Sequence, residues 1–148
     1  MTSPSSALAP GRLYLIDTSA HARTNHQQVR DVVTGLIADR AAATCVTVDL
    51  EAGYSGRDEM DVRAIAGRRR SHYVNLAITE TIADRARDVQ VSMAARGHHR
   101  AADVIDLLTA AVAEHHSAIV LHYDADFDHI AATTGQPHAW IAPRGSLP

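Results

Sequence analysis

The sequence predicts an α/β fold, a three-layer α/β/α sandwich with a central parallel β-sheet. Three observations lead there. Short apolar runs such as Leu13–Asp17 and Ser117–Tyr123 have the length of strands. Between such runs lie longer stretches with apolar residues at three- and four-residue spacing, the period of a helix. Strands that alternate with helices pair in parallel and are covered on both faces.

The elements follow in order. Leu13–Asp17 is the first strand. Asn25 to Arg40 reads as a helix with Val29, Val32, Val33, Leu36 and Ile37 on one face. Ala43–Val46 is a short second strand. A helix beginning near Thr47 or Val48 carries Glu51 in its first turns and runs, with an interruption, to about Arg70. Tyr73–Ile78 is the third strand. Thr79 is suited to cap the next helix, with Glu80 in its first turn. Ile82, Ala86, Val89 and Met93 line one face of that helix, and Gly97 ends it. Ala101 to His116 is a further helix and Ser117–Tyr123 the fourth strand. Asp126 to Thr133 is a short helix, and Ala139–Ile141 the last strand.

At 148 residues the chain is long enough for one domain with a single core, and nearly half of its residues are apolar. Residues 1–10, small and rich in Ser and Pro, read as a flexible tail before a single unit over 11–148. The tail lacks the basic start and long apolar stretch of a secretion signal, and no apolar run could span a bilayer, so the expected location is the cytoplasm, away from any membrane. Cys45 is the only cysteine, which excludes an internal disulfide; it reads as a small buried side chain in the second strand. All fourteen basic residues are Arg, and the net charge is −3. That balance argues against a general nucleic-acid coat protein but not against a nuclease, whose carboxylates lower the total.

The acids carry the chemistry. Asp17 and Asp124 follow apolar strands, at the edge where parallel sheets place their ligands. Glu51 and Asp106 sit near the starts of helices, which begin at that same edge. Asp106 is enclosed by Val104, Ile105, Leu107 and Leu108. Ionised carboxylates are rarely buried without an offsetting charge, and the chain contains no lysine. Four acids distant in sequence thus point to a bound Mg²⁺ or Mn²⁺, which favour oxygen ligands. Each acid also has an ordinary reading. Asp17 and Asp124 can serve as helix N-caps, and a Glu near a helix start is favoured by the helix dipole. The weight rests on the set.

These residues, in this order, resemble the PIN-domain ribonucleases, and most closely the VapC toxins of bacterial toxin–antitoxin pairs. Leu15-Ile16-Asp17-Thr18-Ser19-Ala20 is similar to the family's opening motif, and Leu50-Glu51-Ala52-Gly53-Tyr54-Ser55 to its second. Ile105-Asp106-Leu107-Leu108-Thr109-Ala110-Ala111 resembles the third, with Thr109 where Ile is common. His122-Tyr123-Asp124-Ala125-Asp126-Phe127 resembles the fourth. The resemblance implies a PIN-like fold and metal-dependent endonucleolytic cleavage of RNA, in the toxin of a type II (VapBC) pair. It implies Asp17, Glu51, Asp106 and Asp124 as catalytic, metal-holding acids, with Asp126 as a fifth ligand or a brace for the loop. Ser19 would support the metal shell or the scissile phosphate, with Thr18 beside it. It further implies Mg²⁺, for which Mn²⁺ substitutes, a homodimer, and a VapB-like antitoxin partner. An Arg- or Lys-bearing antitoxin arm would enter the acidic cleft and anchor in a groove formed by the helices after Thr24 and Thr47.

Other features of the sequence have simpler readings. Asp124-Ala125-Asp126-Phe127-Asp128 lacks the Gly and Glu of a calcium loop, having His129 and Gly135 there. The histidines have no zinc-protease spacing and read as surface residues. His99 and Arg100 open the helix of Asp106 and are candidates to face the cleft, Arg100 toward substrate. Arg68-Arg69-Arg70 reads as a solvated turn, Trp140 and Phe127 as core. Two rivals stay open: a catalytically silent PIN-like module that only binds protein, and a small phosphatase or DNA nuclease using the same acids.

Overall fold

The structure, a computed structural model, describes residues 8–148, so most of the expected tail lies outside the described residues. Leu8 packs against the core, and the Ala9 N–H donates to the Tyr14 hydroxyl at 2.7 Å. From there the chain forms β1 (Tyr14–Ile16), α1 (Thr18–His21), α2 (Gln27–Ala38), β2 (Ala42–Thr44), α3 (Val46–Tyr54), α4 (Glu59–His72), β3 (Val74–Asn75), α5 (Glu80–Ala95), α6 (Val104–His115), β4 (Ile119–His122), α7 (Asp126–Thr134) and β5 (His138–Trp140). The five strands form one parallel sheet in the order β3-β2-β1-β4-β5.

Alternation along the strands divides the core in two. Leu15, Ala43 and Val120 face one cluster, with Val48, Ile82, Met93, Leu107 and Phe127 from α3, α5, α6 and α7. Tyr14, Ile16, Ala42, Ile119 and Leu121 face the other, with Val29, Val32, Val33 and Leu36 from α2. This is the three-layer arrangement that the period-two strands and period-3.6 helices imply. α5 begins as read: Thr79 accepts the Ile82 N–H, and Gly97 follows the helix at φ +73, a conformation that a side chain disfavours.

Several expectations change. β3 is two residues long, because the chain after Asn75 no longer follows β2 as a ladder. Cys45 is buried but precedes α3 instead of lying in a strand. The helix of Asp106 begins at Val104, capped by Asp103, whose Oδ1 accepts the Ile105 N–H at 2.8 Å. Arg68-Arg69-Arg70 is no turn: it lies inside α4, and Arg69 is buried. Phe127 is core, whereas Trp140 is only half-buried. Thr109, the departure from the family motif, is buried and paired at 2.8 Å with the Thr47 hydroxyl, which ties α6 to α3.

The strand order locates the site. From β1 the chain moves outward through β2 and β3, then returns to place β4 on the other side of β1. Connections therefore diverge between β1 and β4, opening a crevice at their C-terminal ends. Asp17 leaves β1 there, its N–H bonded to Leu121 O at 2.9 Å, and Asp124 follows β4.

Candidate metal centre

An open cleft of about 510 Å³ lies at this crevice, bordered by Asp17, Thr18, Glu51, Asp106, Asp124 and Asp126 among others. All five candidate acids reach it. Carboxylate oxygens of Asp106, Asp124 and Asp126 lie within 4.8 Å of one another. Asp17 and Asp106 are buried, and Glu51 is half-buried.

Asp17 reconciles its two readings. Its Oδ2 caps α1, accepting the Ser19 N–H at 3.0 Å and the Ser19 hydroxyl at 2.7 Å. Its Oδ1 is buried and has no hydrogen-bond partner. A buried carboxylate oxygen without a partner is costly, and a cation is the natural way to satisfy it. Ser19 spends its proton on Asp17, and its oxygen accepts the Tyr123 N–H at 2.9 Å, so it links the ends of β1 and β4. Thr18 donates to Glu51 Oε1 at 3.3 Å.

The loop after β4 is similarly locked. Asp124 Oδ1 accepts the Asp126 N–H at 2.9 Å, and Asp126 Oδ2 accepts the Asp103 N–H at 3.0 Å. Asp126 therefore both braces the loop and faces the other acids. Asp103 is a sixth acid on the cleft that the sequence reading passed over. Its signal was available, an Asp directly before the apolar run of α6.

Crowded acids resist ionisation. Burial, then the charge of Asp17, pushes the Asp106 carboxyl up to about 9 in the metal-free protein. Glu51 is raised by burial and then by Asp17, with Thr18 opposing. Asp124 is raised chiefly by burial. A donor set of carboxylate oxygens, unfavourably charged when empty of cation and including an orphaned buried oxygen, fits a hard divalent ion.

Arg100 requires correction. It lies in the turn before α6, is exposed, and borders a neighbouring hollow with His99, Asp103 and Asp126, not the acid cleft itself. The apolar groove also differs from expectation. It lies between α3 and α4, about 750 Å³ in volume and lined by Leu50, Tyr54, Val62 and Ile65, and α2 takes no part in it. Leu50 and Glu51 are adjacent on α3, so groove and cleft adjoin. Histidines also depart from their surface reading: His122 is fully buried, as the last position of a buried strand could have foretold.

Comparison with known proteins points to one family. Residues 14–133 match the PIN domain. The chain is 42% identical over 134 residues to ribonuclease VapC51 of Mycobacterium tuberculosis, covering 90% of this chain and 96% of that protein. It is 38% identical over 133 residues to ribonuclease VapC21 of the same organism, with the same coverage. Among solved structures, DNA-bound VapBC from Salmonella typhimurium has a chain of the same fold. The TM-score is 0.72 at 13% identity, covering 88% of this chain and 99% of that one. VapBC2 from Rickettsia felis bound to a promoter DNA fragment gives 0.70 at 12% identity, covering 86% and 98%. An acidic cleft at the β1–β4 crevice, a match along most of its length and relatives of this similarity mean that the chain belongs to the PIN-domain family.

Proposed function

We propose that this protein is a metal-dependent endoribonuclease, the toxin of a type II toxin–antitoxin pair of the VapBC kind, with residues 11–148 acting as one catalytic unit. The observation that carries the reading is the convergence of acids from separate chain segments on one cleft, together with the buried, unpartnered Asp17 Oδ1. Asp17, Asp106 and Asp124 would hold Mg²⁺, with Mn²⁺ able to substitute, and Asp126 would complete the set. Such an ion, when bound, lowers the pKa of water and offsets charge on a phosphoryl oxygen. Glu51, held at Oε1 by Thr18, would ligate the ion or position the attacking water. Ser19 keeps Asp17 oriented. Arg100, beside the cleft, binds an RNA phosphate next to the one cut. The test is total RNA incubated with purified protein and Mg²⁺, with EDTA as control, and new 5′ ends mapped. New ends only with metal are expected. Intact RNA in the presence of folded, metal-bound protein would favour the silent binding module.

The proposed partner is a VapB-like antitoxin. Leu50, Tyr54 and Met60 are exposed on or beside the α3–α4 groove, at 69%, 93% and 81%. Apolar side chains of that size offer anchorage, and the adjoining acids attract an Arg-bearing arm that would exclude both metal and RNA. Expression of this chain alone is expected to arrest growth, and co-expression with the neighbouring gene product to restore it. A neighbour that neither binds nor rescues would refute the pairing.

We also propose a homodimer that works in the cytoplasm. No helix among the described residues is long and apolar enough to cross a membrane. Val91 on α5 and Val104 on α6 are exposed at 68% and 66%. Light scattering at micromolar concentration should give twice the 15.9 kDa chain mass. A single-chain mass would count against the dimer.

A further inference from the structure

His122 ends β4 two residues before Asp124. Its ring packs against Phe127 and Trp140, with centroids 4.9 and 5.0 Å away, and stacks on His138 at 5.1 Å. The ring is fully buried. A neutral imidazole has one donor nitrogen and one acceptor nitrogen. The Asp124 N–H can only donate, and it meets His122 Nδ1 at 3.1 Å. Nδ1 is therefore the bare nitrogen, and the proton sits on Nε2. Nε2 lies 2.9 Å from His138 Nδ1, which must accept. The bonds thus run in one direction, from Asp124 to His122 to His138.

The same cluster could be mistaken for a second metal site, because His122, Asp128 and His138 present donor atoms within 4.8 Å of one another. The tautomer opposes that. A metal on Nε2 would require the proton on Nδ1, where it would face the Asp124 N–H with no acceptor between them. Asp128 Oδ1 is meanwhile engaged by the Trp140 indole N–H at 3.0 Å. The cluster is a hydrogen-bond relay.

We propose that His122, oriented by His138, is a positioning residue that anchors the backbone of Asp124 and so keeps its carboxylate beside those of Asp106 and Asp126. Crowded carboxylates repel, and the short loop between β4 and α7 must resist that repulsion when no cation is bound. The anchor acts where the loop leaves the sheet, and the Asp124–Asp126 and Asp126–Asp103 bonds continue it. The inference rests on the reading of Asp124 as a metal ligand.

The test is Mn²⁺ affinity of the full chain by calorimetry, together with the backbone amide resonance of Asp124 by NMR. Two variants separate anchoring from packing. His122→Phe keeps a ring between Phe127 and Trp140 but cannot accept the Asp124 N–H. His122→Asn loses the ring, yet its Oδ1 can accept in place of Nδ1. Changes behind a metal ligand cost about 10- to 100-fold in affinity, so His122→Phe should weaken Mn²⁺ binding by about 10-fold or more and move the Asp124 resonance. His122→Asn should stay within roughly 3-fold of the parent, well short of that range. Unchanged affinity in folded His122→Phe, or equal losses in both variants, would overturn the inference and leave His122 a packing residue. If His122→Phe does not fold, His138→Phe decides, because it removes the acceptor for Nε2: weaker Mn²⁺ binding supports the relay, and unchanged binding overturns it. A parent protein that binds no Mn²⁺ would overturn the ligand reading and this inference with it, whereas normal binding by parent and His122→Phe alike overturns the inference alone.

Discussion

Asp106→Asn is expected to abolish RNA cleavage and, at the same time, to raise the melting temperature of the metal-free protein. Changes in residues behind a ligand cost about 10- to 100-fold, so removing a ligand carboxylate should cost more. The opposite effect on stability follows from the raised carboxyl pKa, about 9 in the folded metal-free state. A carboxyl raised on folding contributes stability that is fully present below its unfolded pKa and is lost as pH rises through the folded value. Asparagine removes that loss. In EDTA the variant should therefore gain over the parent as pH rises from about 4 toward 9, the window between the ordinary carboxyl value and the raised one. Near pH 8 the gain should be at least several degrees, since each kcal/mol shifts the midpoint by about 2–4 °C in a chain near this size. Added Mn²⁺ should reverse the order, raising the melting temperature of the parent more than that of the variant. Thermal melts across pH, with and without Mn²⁺, read all three effects. Full cleavage by a folded variant would remove Asp106 from the site.

The second large effect is structural. Arg69→Ala should destabilise the fold by about 3 kcal/mol, as breaking a largely buried ion pair does. The Arg69 Nε donates to Asp49 Oδ1 at 2.6 Å, and a terminal guanidinium nitrogen donates to the Thr44 hydroxyl at 2.8 Å. The guanidinium also lies over the Tyr73 ring, 4.9 Å from its centroid. These contacts join α4 to the end of β2, to α3 and to the start of β3. Asp49 retains some access to water, which holds the figure near the lower end of the range for buried pairs. Urea denaturation should show a lower midpoint with a similar slope. Arg68→Ala, one residue away on the exposed side of α4, should change little. Equal stability of Arg69→Ala and the parent would mean that the pair contributes nothing net.

Strand–helix alternation, the two-sided sheet and the convergence of Asp17, Glu51, Asp106 and Asp124 were legible because each depends on local pattern. An apolar run bounded by an acid marks the end of a strand, and parallel strands all end at one edge. Boundaries were less legible where local signals competed. Val46 is β-branched and reads as strand, but it opens α3 because β2 pairs with β1 only as far as Ala43 and with β3 as far as Thr44. The basic run in α4 reads as a solvated turn because a charge run carries no periodicity, and only packing shows that one of its three arginines points inward.

By itself, the sequence determined the fold class, the order of elements and which acids could share a cleft, since all three follow from periodicity and chain direction. Tertiary structure alone decided the partners. Thr47 meets Thr109 across 62 residues, Arg69 meets Asp49 across 20, and His122 meets His138 across 16. It also divided Asp17 between a capped oxygen and a bare one, and moved Arg100 off the cleft. A buried polar atom must find whichever donor or acceptor packing brings within about 3 Å, and that choice depends on how distant segments pack together, which no local pattern encodes.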